Sequence, residues 1–296
     1  MEPNFDFRCD SHQVDNLNLS YLDSDQDKTP LHFYHANGFP ISVYLPFLRM
    51  LTADFKVLGL GLRGQDAQVE GSTSWRSVAD DLIDFLDAKQ PGPVVGVGHS
   101  VGAVSTMFAA VRRPDLFSRI VLIDPVLLPW KYILAMMFIT VIGRKDLFFL
   151  AKRSRKRQNG WKNREEAYAY LKTKPLFKRF QDEFVRSYVT YGLKPSENGA
   201  VELLCPPEAE ARIFENYPFD IWFWPKRVRV PVLIIRGAHS DVLQAGAIDQ
   251  FCRKCKNSTA ITLADAGHLA PMEVPEQISE LIKEFTRGGE FAPIQA

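Results

Sequence analysis

The stretch Val94-Val95-Gly96-Val97-Gly98-His99-Ser100-Val101-Gly102 decides how the rest of the chain is read. A β-rich run, 94–98, leads into G-x-S-x-G, and the segment after it, 102–112, looks helical. A strand that turns sharply into a helix needs room for a strained backbone. Gly98 and Gly102 supply that room, and the turn leaves the Ser100 hydroxyl exposed at the end of the sheet. The helix start places free N–H groups and the positive end of a dipole beside any charge that develops there. A bare G-x-S-x-G arises by chance. With a strand before it and a helix after it, the motif marks Ser100 as a candidate nucleophile.

Outward from this motif, short β-rich runs recur at 31–35 (LHFYH), 56–60, 120–124, 232–236 and 260–263. Most are too continuously apolar for a half-exposed sheet, so they are expected to be buried on both faces. Helical patterns separate several of them: 74–89 carries Trp75, Val78, Ala79, Leu82, Ile83, Phe85 and Leu86 at helical spacing, and 275–286 is similar. Such alternation predicts an α/β fold with a mostly parallel central sheet flanked by helices. The segment 13–22 alternates as an antiparallel edge strand would. The rhythm fails between Pro125 and Pro225, where helical patterns are punctuated by prolines. We read a core of 1–125 and 226–296 with an inserted helical cap at 126–225.

A serine at neutral pH needs a base, and the base needs an orienting acid. On a sheet of this kind the partners follow in the order serine, acid, histidine. Only His239 and His268 come after Ser100. His268 lies just after the last strand, where an open α/β sheet places its site, and is assigned as base. Asp241 and Asp124 both follow strands and precede His268, with Asp265 a third candidate. Asp241 is preferred because its loop comes one strand before the histidine. Carbonyl chemistry also needs two prepositioned N–H donors. Val101 N–H is one. The loop His35-Ala36-Asn37-Gly38-Phe39-Pro40 should give the other, assigned to Phe39.

Together HANGFP, VGHSVG, IVLIDP, VLIIRGAHSD and DAGHLAPMEVPE resemble the α/β-hydrolase superfamily, in particular its cap-bearing esterase, lipase and lactonase-like members. The likeness runs over 31–287, is close to bacterial hydrolases with a HANGFP loop, and matches the middle only as a variable cap. It implies the α/β-hydrolase fold and a serine hydrolase that cleaves carboxylic esters through an acyl-enzyme, with no metal or organic cofactor. Two departures stand out: Asn37-Gly38 replaces the usual His-Gly, and Gly61-Leu62-Arg63-Gly64-Gln65-Asp66 replaces Asp-x-Arg-Gly-His-Gly. Epoxide hydrolases and haloalkane dehalogenases of this fold resemble the pattern but carry aspartate where Ser100 stands. The rival readings are hydrolysis of a carbon–carbon bond in a vinylogous diketone by the same triad type, and a non-catalytic binding protein on this scaffold.

Composition sets outer limits. The chain has 296 residues, 46% hydrophobic and 24% charged, with a net charge of +1, so no overall bias toward nucleic acid is present. The start shows no secretory signal, the apolar run 133–142 is too short to span a bilayer, and a cytoplasmic protein is the simplest reading. The Cys252/Cys255 pair lacks a second pair for zinc and sits late in a probable helix. The segment 144–164 carries nine arginines and lysines against the single Asp146, a local charge of +8. The leading reading is a solvated helix face beside a buried lid stripe. Next come an anionic or lipid-like small-molecule ester and, as the lesser partner, a membrane surface; nucleic acid is the weakest reading. Trp222, Phe223 and Trp224 are expected to pack where cap meets core.

Overall fold

Residues that alternate between two apolar layers build the central element. In the computed structural model, which describes residues 6–63, 73–90 and 92–289, the strands are β1 (Arg8–Val14), β2 (Leu17–Asp23), β3 (Thr29–Tyr34), β4 (Phe55–Leu60), β5 (Val94–His99), β6 (Phe117–Ile123), β7 (Gly160–Trp161), β8 (Leu193–Pro195), β9 (Val201–Leu203), β10 (Val232–Gly237) and β11 (Ser258–Leu263). The helices are α1 (Leu45–Leu51), α2 (Trp75–Lys89), α3 (Val101–Arg112), α4 (Trp130–Val141), α5 (Phe149–Arg155), α6 (Arg164–Lys172), α7 (Asp182–Tyr191), α8 (Pro207–Glu215), α9 (Ala245–Lys254), α10 (Ala270–Glu273) and α11 (Pro275–Thr286).

Eight strands form one sheet in the order β1-β2-β4-β3-β5-β6-β10-β11. All neighbouring pairs are parallel except those made by β2. The period of two is visible in β6 and β10. Ile120, Leu122, Val232 and Ile234 face one apolar layer with α2, α3 and α9, while Val121, Ile123, Leu233 and Ile235 face the other with α1 and α11. Helix starts are capped locally: the Ser74 hydroxyl accepts from Ser77 N–H at 3.1 Å before α2. The expected edge strand at 13–22 is instead the hairpin β1–β2, whose two-residue turn begins at Asp15 with φ 51°.

Between β6 and β10 lie α4 to α8. A three-stranded antiparallel sheet, β7-β9-β8, accompanies them; its strands are too short to carry a readable period. Long-range hydrogen bonds tie this insertion to α2 and close it on itself. Trp75 Nε1 donates to Ile213 O at 2.7 Å, and Trp222 Nε1 donates to Leu128 O at 2.8 Å. Of the tryptophan cluster, Trp222 is buried, Trp224 packs on Phe108 with ring centroids 4.4 Å apart, and Phe223 is exposed. In the loop 61–66, Arg63 donates to the buried Asp81 on α2 at 2.6 Å, while Gly64, Gln65 and Asp66 lie outside the described residues. Cys252 and Cys255 are both free thiols.

His32 on β3 is fully buried against Tyr34 and Phe85, and neither ring nitrogen has a hydrogen-bond partner. Burial pushes its imidazole down to about 3. Its neutral form is therefore the folded form. The stability this represents is complete above the unfolded histidine range near ~6.5 and is lost as pH falls below it, because only the unfolded chain then takes up the proton. The His32→Phe variant should show a shallower loss of unfolding free energy between pH 6 and 5, by about 1 kcal/mol per pH unit. Urea titrations at stepped pH measure this; identical slopes would show that His32 is protonated in the native state.

Candidate active site

The backbone is strained at the end of β5. Ser100 adopts φ 59° and ψ −117°, a region costly for any residue with a side chain. The turn needs glycine on both sides. A Cβ at Gly98 would lie 2.5 Å from Gly102 O, and one at Gly102 would lie 2.3 Å from Tyr34 O. Strand and helix can meet this closely only where side chains are missing. Ser100 is thereby lifted to the carboxyl end of the sheet at the start of α3, and Val101 N–H has no acceptor among the described residues.

His268 reaches Ser100 from the loop after β11, its Nε2 3.0 Å from Ser100 Oγ. On the other side of the ring, Nδ1 lies 2.6 Å from Asp124 Oδ2. A carboxylate only accepts, so Nδ1 carries the proton and the Nε2 lone pair faces the serine. Asp124 is fully buried at the end of β6. Its Oδ1 accepts from Gly237 N–H at 3.1 Å, and Oδ2 also accepts from the Ser240 hydroxyl at 2.6 Å. Glu273 brackets the histidine, accepting from Gly267 N–H at 2.6 Å and Leu269 N–H at 3.2 Å.

Two expected assignments change. Asp241 does not touch His268; its carboxylate is bound by Arg153 of α5 at 2.7 Å and is exposed. The turn formed by Ser240, whose hydroxyl accepts from Val242 and Leu243 N–H, carries Asp241 past the imidazole, and Asp124 occupies the orienting position. The Phe39 N–H is likewise committed, donating to Ala36 O at 3.2 Å in a turn. Asp265 is exposed and makes no hydrogen bond or ion pair with His268 among the described residues.

Residues that sequence reasoning passed over hold these parts together. Ala36 N–H donates to Tyr44 Oη at 3.1 Å, Tyr44 Oη lies 2.7 Å from His99 Nδ1, and His99 Nε2 lies 2.8 Å from His268 O. Burial pushes the His99 imidazole well below its usual range, so it is neutral, with Nε2 donating to the carbonyl and Nδ1 accepting from the tyrosine. His35 is neutral as well, pushed down by burial to about 4, and its Nε2 accepts from Leu62 N–H. From the insertion, Glu210 O accepts from the Asn37 carboxamide at 2.9 Å, and the Tyr188 hydroxyl donates to Gly38 O at 3.2 Å. Arg157 pairs with Glu210 and donates to Tyr188. Of these helpers only His35, Asn37, Gly38 and His99 fall inside the motif strings; Tyr44, Arg157, Tyr188 and Glu210 lie outside them, and no spacing marks them.

A cavity of about 100 Å³ opens onto Ser100, His268 and Asn37, roofed by Leu150, Arg153, Arg157 and Phe214 of the insertion. Leu150, Phe214, Asp241 and Val242 also line a second, larger chamber of about 450 Å³ with an apolar wall that includes Met136, Ile139 and Phe148. Three arginines of the basic segment pair with acids distant in sequence: Arg153 with Asp241, Arg155 with Glu208 and Glu215, Arg157 with Glu210. Among the described residues no group of histidine, cysteine and carboxylate side chains could hold a metal ion.

A hydroxyl, an imidazole and a buried carboxylate in line, on a strand–turn–helix at the end of a parallel sheet, define a class of hydrolases. The chain belongs to the alpha/beta hydrolase family, whose model matches residues 33–281. It is similar to 2-(acetamidomethylene)succinate hydrolase of Mesorhizobium japonicum, 24% identical over 93% of this chain and 94% of that one. The esterase YbfF of Escherichia coli (strain K12) is 21% identical over 91% of this chain and 98% of its own. The crystal structure of E-2-(acetamidomethylene)succinate hydrolase superposes with a TM-score of 0.79 at 21% identity, covering 95% of this chain and 99% of that one, and so shares the α/β-hydrolase fold.

The elbow geometry makes a prediction about stability. Because a Cβ at position 102 meets backbone oxygens, Gly102→Ala should cost about 2 kcal/mol or more. Gly246, on α9, has open space around its Cα, so Gly246→Ala should be neutral or stabilise by up to ~1 kcal/mol. Denaturation midpoints in urea compare the two directly. Equal stability of Gly102→Ala and the unmodified protein would mean that strand and helix do not approach this closely.

Proposed function

We propose that the protein is a serine hydrolase of carboxylic esters, acting through an acyl-enzyme. The observation that carries this reading is the unbroken line from Ser100 Oγ through His268 to Asp124 Oδ2, at 3.0 Å and 2.6 Å. Ser100 attacks the ester carbonyl while His268 Nε2 takes its proton. The imidazolium returns that proton to the leaving alcohol. Water then enters by the same general-base route and releases the acid. Asp124 fixes the tautomer and offsets the charge on the ring.

The oxyanion is assigned to Val101 N–H and to Asn37 N–H. Asn37 lines the cavity at Ser100, and its N–H has no acceptor among the described residues. Its carboxamide is pinned to Glu210 O. The segment 126–225 acts as a cap, excluding water from the reacting carbonyl. The ester carbonyl sits in the small cavity, and an unbranched acyl chain extends past Leu150 and Phe214 into the apolar chamber. A carboxylate-bearing substrate is disfavoured, since Arg153 and Arg157 in the cavity wall are each already paired with a carboxylate.

Ser100→Ala should lower aryl-ester turnover by several orders of magnitude, and Asp124→Asn by about 10⁴ through loss of the correct tautomer. Asp241→Asn should stay within about tenfold of the unmodified rate. Steady-state kinetics on the three variants check this; a crippled Asp241→Asn beside a mild Asp124→Asn would reverse the assignment.

Chain length supplies an independent measurement. Over a series of p-nitrophenyl esters, kcat/KM should rise with acyl length, each methylene entering the chamber adding up to ~0.8 kcal/mol. The Met136→Trp variant, which fills the chamber, should remove that rise while leaving the acetyl ester unaffected. A flat series in the unmodified protein would place the acyl group elsewhere.

A further inference from the structure

Helix α4 is apolar on both sides. On its inner side Tyr132, Met136 and Ile139 line the large chamber. On its outer side Leu134, Phe138 and Val141 are 60%, 67% and 85% exposed, continued by Ile142 and by Phe149 at the start of α5. A helix apolar all round is ordinarily covered by protein or lipid, and a continuous exposed patch of this kind marks a docking surface. The helix has 12 residues, a length of about 18 Å against a hydrocarbon core of roughly 30 Å. It therefore fits the plane of a membrane interface and does not cross one.

The charge around this patch identifies the occupant. Lys131 lies three and seven residues before Leu134 and Phe138, on the same helix face. Lys145 follows in the next turn, and Lys152 lies one helical turn beyond Phe149. Neighbouring arginines have carboxylate partners, whereas Lys131, Lys145, Lys152 and Lys156 have none within ion-pair distance among the described residues. A positive rim around an apolar face repels a second copy of the same face and complements a bilayer that carries negative headgroups.

We propose that α4, with Phe149 and the flanking lysines, docks the protein on an anionic lipid bilayer and sets the apolar chamber behind the helix next to the acyl chains. The feeding of lipid esters into that chamber rests on the ester reading above; the docking itself does not.

The test is co-sedimentation of the full chain with vesicles of phosphatidylcholine alone and of phosphatidylcholine with phosphatidylserine. Binding should be at least about tenfold tighter to the anionic vesicles and should weaken with salt. The double variant Phe138→Asp, Val141→Asp should lose vesicle binding while keeping its urea denaturation midpoint and its turnover of a short water-soluble aryl ester. Absence of binding at low salt, or undiminished binding by the double variant, overturns the proposal. So does a dimer in sedimentation velocity that the double variant dissolves, which would make a second copy the occupant. Vesicle binding that depends on α4 in a protein without ester turnover would uphold docking and defeat the ester reading.

Discussion

The hydrogen bond between His268 and Asp124 depends on the order of strands. The carboxylate stands at the end of β6 and the imidazole in the loop after β11, with β10 between them. The two groups meet only because β6, β10 and β11 run parallel in fixed register, so that their carboxyl ends finish together. A slip of one residue in β10 would reverse its two apolar faces and move Gly237, a donor to Asp124, out of place. The alternating core that stabilises the sheet is thus also what sets the distance across the site.

A second constraint comes from outside the sheet. The loop 35–40 is held on one side by Tyr44 and on the other by Glu210 and Tyr188, which belong to α8 and α7. Arg157, with Glu210 and Ser154, forms a largely buried polar cluster over that loop. Breaking one member of such a cluster leaves a buried charge uncompensated, which costs far more than the loss of a surface pair. The insertion is therefore a structural part of the site as well as its roof.

The strand–helix alternation, the parallel sheet and Ser100 with His268 were legible because each rests on a local pattern: continuous apolar runs, helical spacing, a glycine-flanked serine. The partner of His268 was not. Asp124 and Asp241 both follow strands, and what separates them is the short turn at Ser240, whose hydroxyl binds the Asp124 carboxylate and the following N–H groups. Side-chain capture of a turn leaves no periodic trace. The hydrogen bond of the Phe39 N–H was hidden for a similar reason, since a turn of 36–39 uses it. The local charge of +8 read from 144–164 is about halved in three dimensions because Asp241, Glu208, Glu210 and Glu215, remote in sequence, fold against three of the arginines. The β7-β9-β8 sheet was hidden by the brevity of its strands.

The chain from Ala36 through Tyr44 and His99 to the His268 carbonyl has a direction. Tyr44 and His99 each accept once and donate once, and the order cannot be inverted because the chain starts at an N–H and ends at a carbonyl. The loop that carries Asn37 and the loop that carries the imidazole therefore share one thread of protons. A movement that lengthens any link is felt at both loops. Displacing the loop 35–40 would therefore strain the carbonyl of His268 through two hydrogen bonds, so the positions of the two loops are set together.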